Sequence, residues 1–342
     1  MSPIAPVLAS LGAEIARLTA RLGAPVDVAG LNITDREGLL PLDPPTAVSP
    51  NRACHLIAAA DGWIALNLAR EEDRELVPAW LGGEIEGDVW AAIARLARDR
   101  PCAELIEGAA LLGLPAGRVG EVICDSLAAP VLPLGAPTST PRRRPTRVVD
   151  LSALWAGPMC GAVLAATGAS VVKIESLRRP DPTRTGTPVF FDRLNGRKDH
   201  LGLDFGASDD LARLRKEVAA ADVLITSARP RAFASLGLAP EAVFAGNPAL
   251  VWVAITGYGW TGEAAARVAF GDDAAAAGGL VRWTAASAPR FLGDALSDPV
   301  TGLAAAAGAL QALIAGGGVL VDVAMARAAA GAASALGLRA SA

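Results

Sequence analysis

The stretch RVVDLSALWAGPMCGAVLAATGASVVKIE, residues 147–175, decides the fold. RVVDL (147–151) is a short β-branched run of the kind that favours a strand, and SVVKIE (170–175) is a second. Between them, GPMCGAVLAATG (157–168) reads as a helix ending on Gly168, where glycine relieves a left-handed backbone. The alternation continues downstream. DHLGLDF (199–205) predicts a strand, and SDDLARLRKEVAAA (208–221) an amphipathic helix with Ser208 placed to cap it. DVLITS (222–227), the helix-like RAFASLGL and ALVWVAITGYG (249–259) follow. Apolar strands alternating with helices predict an α/β protein, with a doubly wound, mostly parallel, Rossmann-like sheet covered on both faces.

The N-terminal third has another rhythm. SLGAEIARLTARL (10–22) makes a helix, and HLIAAADGWIALNL (55–68) reads as two strands turning at Asp61-Gly62, a pair suited to tight hairpins. DVWAAIARLARDR (88–100) and PCAELIEGAALLG (101–113) are helical, the second with Pro101 in its first turn. A smaller α+β domain follows from this, with its core at about 50–115 inside an N-terminal region of residues 1–133. LGAPTSTPRRRPTR (134–147) breaks the composition with prolines and three consecutive arginines. Residues 134–146 therefore read as an exposed linker, Arg142–Arg144 as solvated surface, and 147–342 as the large domain.

Composition narrows the function. The chain has 342 residues, 31 basic and 35 acidic, for a formal charge of −4. No basic run is interleaved with aromatics, which excludes a nucleic-acid partner. Mean hydropathy is +0.38, spread through alanine and valine, and no stretch reaches the apolar length of a membrane span. The start carries Glu14 and no basic leader region, so no secretory signal is expected. Cys54, Cys102, Cys124 and Cys160 are far apart and only His55 and His200 accompany them, so no metal site is expected. Reduced thiols suit a cytoplasmic protein.

Two local features carry chemistry. The turn Ala156-Gly157-Pro158 lies between a strand and a helix whose free N–H groups can hold phosphate. Neither GxGxxG nor GxxxxGK[ST] occurs in this strand–turn–helix stretch, so nicotinamide and ATP chemistry lack support there. In DPVTG (298–302), Asp298 opens an alanine-rich helix, where an aspartate is either a helix cap or a carboxylate exposed for reaction.

In order, these segments resemble the family III CoA-transferases of the formyl-CoA and carnitine-CoA type. The quoted residues are DLSALWAGP, GASVVKIE, DPTR (181–184), FFDRLNGRKDHLGLDF (190–205), ADVLITSARPR (221–231), NPALVWVAITGYGWTG (247–262) and DPVTG. The resemblance covers roughly residues 147–325. It implies an acyl-CoA:carboxylate CoA-transferase with Asp298 as nucleophile, working through an aspartyl anhydride and an aspartyl-CoA thioester. It implies coenzyme A contacts at Ala156, Gly157, Pro158, Arg184, Leu194 and Lys198, and at Arg229 and Arg231 of the altered SARPR segment. The partners implied are an acyl-CoA, a carboxylic acid and a second copy of the chain in a homodimer. The stretch RWTAASAPR (282–290) is expected near the acyl pocket. Because ACHLIAAADGW resembles the opening of the family's small domain yet comes first, the chain looks circularly permuted. Two alternatives remain. One is an α-methylacyl-CoA racemase-like enzyme, although VAFGDDAAAAGG (268–279) lacks the histidine that chemistry needs. The other is a non-catalytic CoA-binding homologue.

Overall fold

The computed structural model describes residues 2–83, 85–139 and 145–338. Arg142–Arg144 lie outside the described residues. The first helix, Ala5–Ala20, starts earlier than its periodicity suggested because Pro6 fits a first turn, where no N–H is missed. It buries Val7, Leu11, Ile15 and Leu18, a stripe at three- and four-residue spacing.

Strands β1 (Cys54–Ala59) and β2 (Gly62–Asn67) pair antiparallel with Ala59 opposite Gly62, so the hairpin expected here forms, but its two turn residues are Ala60 and Asp61, one place before the Asp61-Gly62 pair, and Gly62 opens β2. Gly62 has φ 153°, beyond the reach of most side chains. β3 (Ala116–Arg118) pairs with β2 and completes a three-stranded sheet. Helices Val89–Ala97 and Cys102–Leu112 cover one face through Ile93, Ala97, Leu105 and Ala109. Pro101 stands at the N-cap of the second helix, one place before its first turn.

The large sheet contains β4 (Val131–Pro133), β5 (Arg147–Leu151), β6 (Ser170–Ser176), β7 (Asp199–Leu203), β8 (Val223–Thr226) and β9 (Val251–Thr256). After a hairpin, β10 (Val281–Trp283) and β11 (Pro289–Phe291), comes β12 (Val319–Ala324). The order is β4-β12-β9-β8-β5-β6-β7, with every pairing parallel except β4 against β12. This is a doubly wound α/β sheet. Strands buried on both faces need apolar side chains throughout, and β8 and β9 are fully buried along their length.

The structure departs from the sequence reading at several points. Helix Ser208–Ala219 has Ala207 at its N-cap, in extended conformation, and Ser208 is already helical. β7, which carries His200, is an edge strand and not mid-sheet. RWTAASAPR forms the β10–β11 hairpin, whose Val281 and Phe291 pack on Cys54, Leu56 and Ala65 of the small sheet. Parts of the region expected to stand apart lie on the large sheet: β4 extends its edge, and helix Ala5–Ala20 packs on helix Ser297–Ile314. Among the described residues no helix is long and apolar enough to cross a membrane.

Candidate active site

In a sheet of this order ligands bind outside the carboxyl ends of the strands, where crossovers leave the first strand in opposite directions. Here that place is the gap between β5 and β8. A cavity of about 610 Å³ opens there, lined by Ser152 after β5, Ser176 ending β6, Asp204–Gly206 after β7, and Ala228 after β8. A second cavity of about 360 Å³ continues from it, sharing Ala153, Arg179, Ala228 and Ala232. Asp298, Ala156, Gly157 and Arg229 line the second cavity. Four of the residues singled out from sequence therefore meet in one cleft.

Asp298 lies in the first turn of helix Ser297–Ile314, but that helix has Leu296 at its N-cap and no side-chain cap. Asp298 thus does not cap its own helix. Its carboxyl lies instead at the start of helix Ala156–Ala166, whose Ala156 N–H stabilises the charged form. Gly302 makes this meeting possible. A methyl group at residue 302 would stand 2.7 Å from Met159 Sδ and 2.8 Å from the Ala156 carbonyl oxygen. A Gly302→Ala protein must separate the two helices. It is expected to lose about 1–3 kcal/mol of stability by thermal melting, and to lose activity as Ala156 moves away from Asp298. Unchanged melting and turnover would remove this account of the DxxxG spacing.

Burial raises the Asp298 pKa from the usual carboxylate range to about 7. The carboxylates of Asp272 and Asp294 push in the same direction, while Arg36 and the Ala156 N–H oppose them. Two non-glycine residues with left-handed backbones stand beside the site, Leu154 at φ 69° and Ala295 at φ 45°. Such strain persists only where surrounding bonds impose it. The Leu154 N–H is held by Asp181 at 3.1 Å and the Ala295 N–H by Asp272 at 2.7 Å.

Four guanidiniums, from Arg70, Arg179, Arg229 and Arg267, line the same cavity. Arg70 is paired with Asp73 and Arg267 with Glu121, whereas Arg179 and Arg229 make no ion pair among the described residues. Burial, Arg231 and Arg70 all lower the Arg229 pKa, as expected for a cation held without its counter-ion. These groups suit an anionic ligand.

Other sequence-predicted contacts fall elsewhere. Leu194 is 1% exposed in the core of the large unit. Lys198 is also buried. Its Nζ donates to Asp150 at 2.8 Å, to the Pro158 carbonyl at 2.8 Å and to Asn195 at 2.9 Å. All three of its protons are spent inside the protein, and neither Leu194 nor Lys198 lines either cavity. Pro158 is buried in the first turn of its helix and lines neither cavity. Arg184 pairs with Glu175, lies over the Phe191 ring at 4.2 Å and reaches the larger cavity only through Glu175. Arg231 is exposed and lines neither cavity. Sequence reading missed Arg36, Arg70, Arg179, Arg267 and Asp272. For Arg179 a local signal existed, since it lies three residues beyond the end of β6, at the carboxyl edge of the sheet.

Neither histidine is at the site. His55 stacks on Trp90 with centroids 3.6 Å apart, and His200 contacts Arg184 at the sheet edge.

Similarity to known proteins points the same way. A family model for CoA-transferase family III matches residues 145–339. The succinyl-CoA–D-citramalate CoA-transferase of Chloroflexus aurantiacus is 31% identical over 190 residues, 52% of this chain and 47% of that protein. A mouse α-methylacyl-CoA racemase is 37% identical over 119 residues, 35% of this chain and 29% of that protein. The crystal structure of a CAIB/BAIF family protein from Brucella suis superposes with a TM-score of 0.52 at 31% identity. It covers 55% of this chain and 54% of that one. The chain thus spans about half the length of the curated relatives it matches. From the strand order, the cleft at the switch point and a family match over more than half its residues, the chain belongs to CoA-transferase family III.

Proposed function

We propose that the protein moves coenzyme A from an acyl-CoA to a carboxylic acid, with Asp298 as covalent nucleophile. The observation that carries this reading is the Asp298 carboxyl facing a cleft that runs to the nucleotide position of the sheet. The nucleotide would occupy the larger cavity. The pantetheine arm would pass Arg179 and Ala228 into the smaller one, with Ala156, Gly157 and Arg229 along its walls.

The carboxylate of Asp298 attacks the thioester carbonyl carbon, and the C–S bond breaks to release CoA thiolate and leave a mixed anhydride. The thiolate attacks the aspartyl carbonyl, releasing the donor acid and forming an aspartyl-CoA thioester. The acceptor carboxylate attacks that thioester, and the freed thiolate then takes the acceptor acyl group, restoring Asp298. Each step exchanges one acyl leaving group for another, so no outside reagent is consumed. Burial favours the chemistry by stripping water from the nucleophile, at the cost of holding its proton to higher pH.

The test is a mass-spectrometric screen of acyl-CoA donors and acceptor acids, led by succinyl-CoA because the C. aurantiacus relative carries that name. Transfer to an acid acceptor is expected. Because only the carboxylate attacks, kcat/KM should fall about tenfold per pH unit below pH 7, the pKa of Asp298 being raised to about 7. The similarity to a racemase motivates a parallel measurement of α-proton exchange in deuterated water. Exchange without transfer would replace the proposal with that chemistry, and CoA binding with neither would make the protein a binding homologue.

The arrangement of parts belongs to the same proposal. The family match begins at residue 145, after the small three-stranded sheet, which supports a circular permutation with the small domain first. A homodimer, as the family resemblance implies, is the assembly proposed.

A further inference from the structure

Asp298 shares its end of the cavity with a bonded network that reaches into the N-terminal region. Asp272 is 2% exposed. One of its oxygens accepts the Ala295 N–H at 2.7 Å and the other accepts Asn51 Nδ2 at 2.7 Å. The same Asn51 amide reaches Asp294 at 2.9 Å, and Arg36 grips Asp294 with two bonds of 2.8 and 2.9 Å. The Ala295 carbonyl in turn accepts the Asp298 N–H at 2.9 Å. A continuous path therefore runs from Asn51 through Asp272 and Ala295 to Asp298.

Its central link is under strain. An alanine at φ 45° is held where L-residues are disfavoured, and the Asp272 carboxylate bonds the N–H of that same residue. The neighbour of Asp272 is glycine for a matching reason. A Cβ on Gly271 would collide with the Asp298 carboxylate and come within 2.7 Å of Ala295 Cβ and 2.8 Å of its carbonyl oxygen. Position 271 leaves room for the nucleophile while position 272 fixes the loop that carries it.

We propose that Asp272 is a positioning residue for Asp298, and that residues 36–51 complete the centre by holding it through Asn51 and Arg36. The inference rests on Asp298 being the nucleophile. A carboxylate attacking a carbonyl carbon needs one line of approach, and small displacements of a reacting group cost large factors in rate. The network also sets the charge around Asp298. Asp272 and Asp294 place negative groups beside it, and Arg36 is the cation that opposes them.

The experiment compares Asp272→Asn and Arg36→Gln with the unmodified protein, using succinyl-CoA and an acceptor found in the screen, with folding checked by circular dichroism. Asp272→Asn is expected to lower kcat about 30-fold or more with KM for the acyl-CoA changed less than about threefold. The acid limb of its pH profile should move to lower pH, because one negative neighbour of Asp298 is gone. Arg36→Gln should move the limb the opposite way, and it carries the test if Asp272→Asn does not fold. A folded Asp272→Asn protein with unchanged kcat, or limbs that do not move apart, would overturn the positioning role while leaving the nucleophile standing. Near-normal turnover in Asp298→Asn would overturn both.

Discussion

Asp298→Asn protein is expected to fold, to bind acyl-CoA and to lose at least about 10³-fold in kcat. Asparagine has nearly the same shape and can still accept the Ala156 N–H, so the meeting of the two helices at Gly302 should survive. It cannot form the anhydride. The variant should also be more stable than the unmodified protein at pH 8. The folded pKa of Asp298 is raised to about 7 against an ordinary 3.8, so the folded state favours the protonated carboxyl. The resulting penalty is absent below about pH 4, grows as pH rises towards 7, and is fully present above it. Asparagine carries no such penalty. A protein that gains stability at high pH while losing turnover separates a reactive carboxylate from a structural one, and denaturant melts at pH 5 and pH 8 measure the first half. A stable Asp298→Asn protein with near-normal transfer would remove the mechanism.

The second large effect concerns Lys198. It and Asp150 have fully buried side chains, and Lys173 pairs with Asp181 equally deep at 3.1 Å, beneath the turn that leads into Ala156. Replacing Lys198 with methionine strands the Asp150 carboxylate without its strongest partner, although Ser152 still donates to it. Breaking a buried pair from one side costs about 3–5 kcal/mol, a large share of a typical folding free energy. Urea unfolding should show that loss, and adding Asp150→Asn should restore part of it because the uncompensated charge disappears. CoA affinity of the folded fraction should be little changed. Full stability with a tenfold weaker Kd would return Lys198 to the ligand.

What the sequence revealed follows the range of the interactions involved. β5, helix Ala156–Ala166 and β6 were readable almost to the residue, because their periodicity and Gly168 are local signals. β4 was not, since three residues that follow Pro130 and end on Pro133 become a strand only by pairing with β12 nearly two hundred positions later. Helix Ala5–Ala20 and the alanine-rich helix after Asp298 were both visible as helices, but their packing on one another was not. The site divides in the same way. Asp298, Ala156, Gly157 and Arg229 came from ordered motifs and share one cavity. Lys198 came from the same motifs and lies outside that cavity, because a lysine bound to Asp150, 48 residues earlier, looks in sequence like one free for phosphate. The roles of Arg36, Asn51 and Asp272 left no trace, since the bonds that join residues 36 and 51 to Asp294 and Asp272 span more than two hundred residues.

The most direct test of the central claim is chemical capture of the intermediate. The unmodified protein, turning over succinyl-CoA in hydroxylamine, should accumulate a hydroxamate on one side chain, because hydroxylamine attacks an activated aspartyl carbonyl but not a free carboxylate. Peptide mass spectrometry is predicted to place that adduct on Asp298 and to find it only when acyl-CoA is present. Continued CoA transfer with no adduct at Asp298, or with the adduct on another carboxylate such as Asp272, would contradict the account.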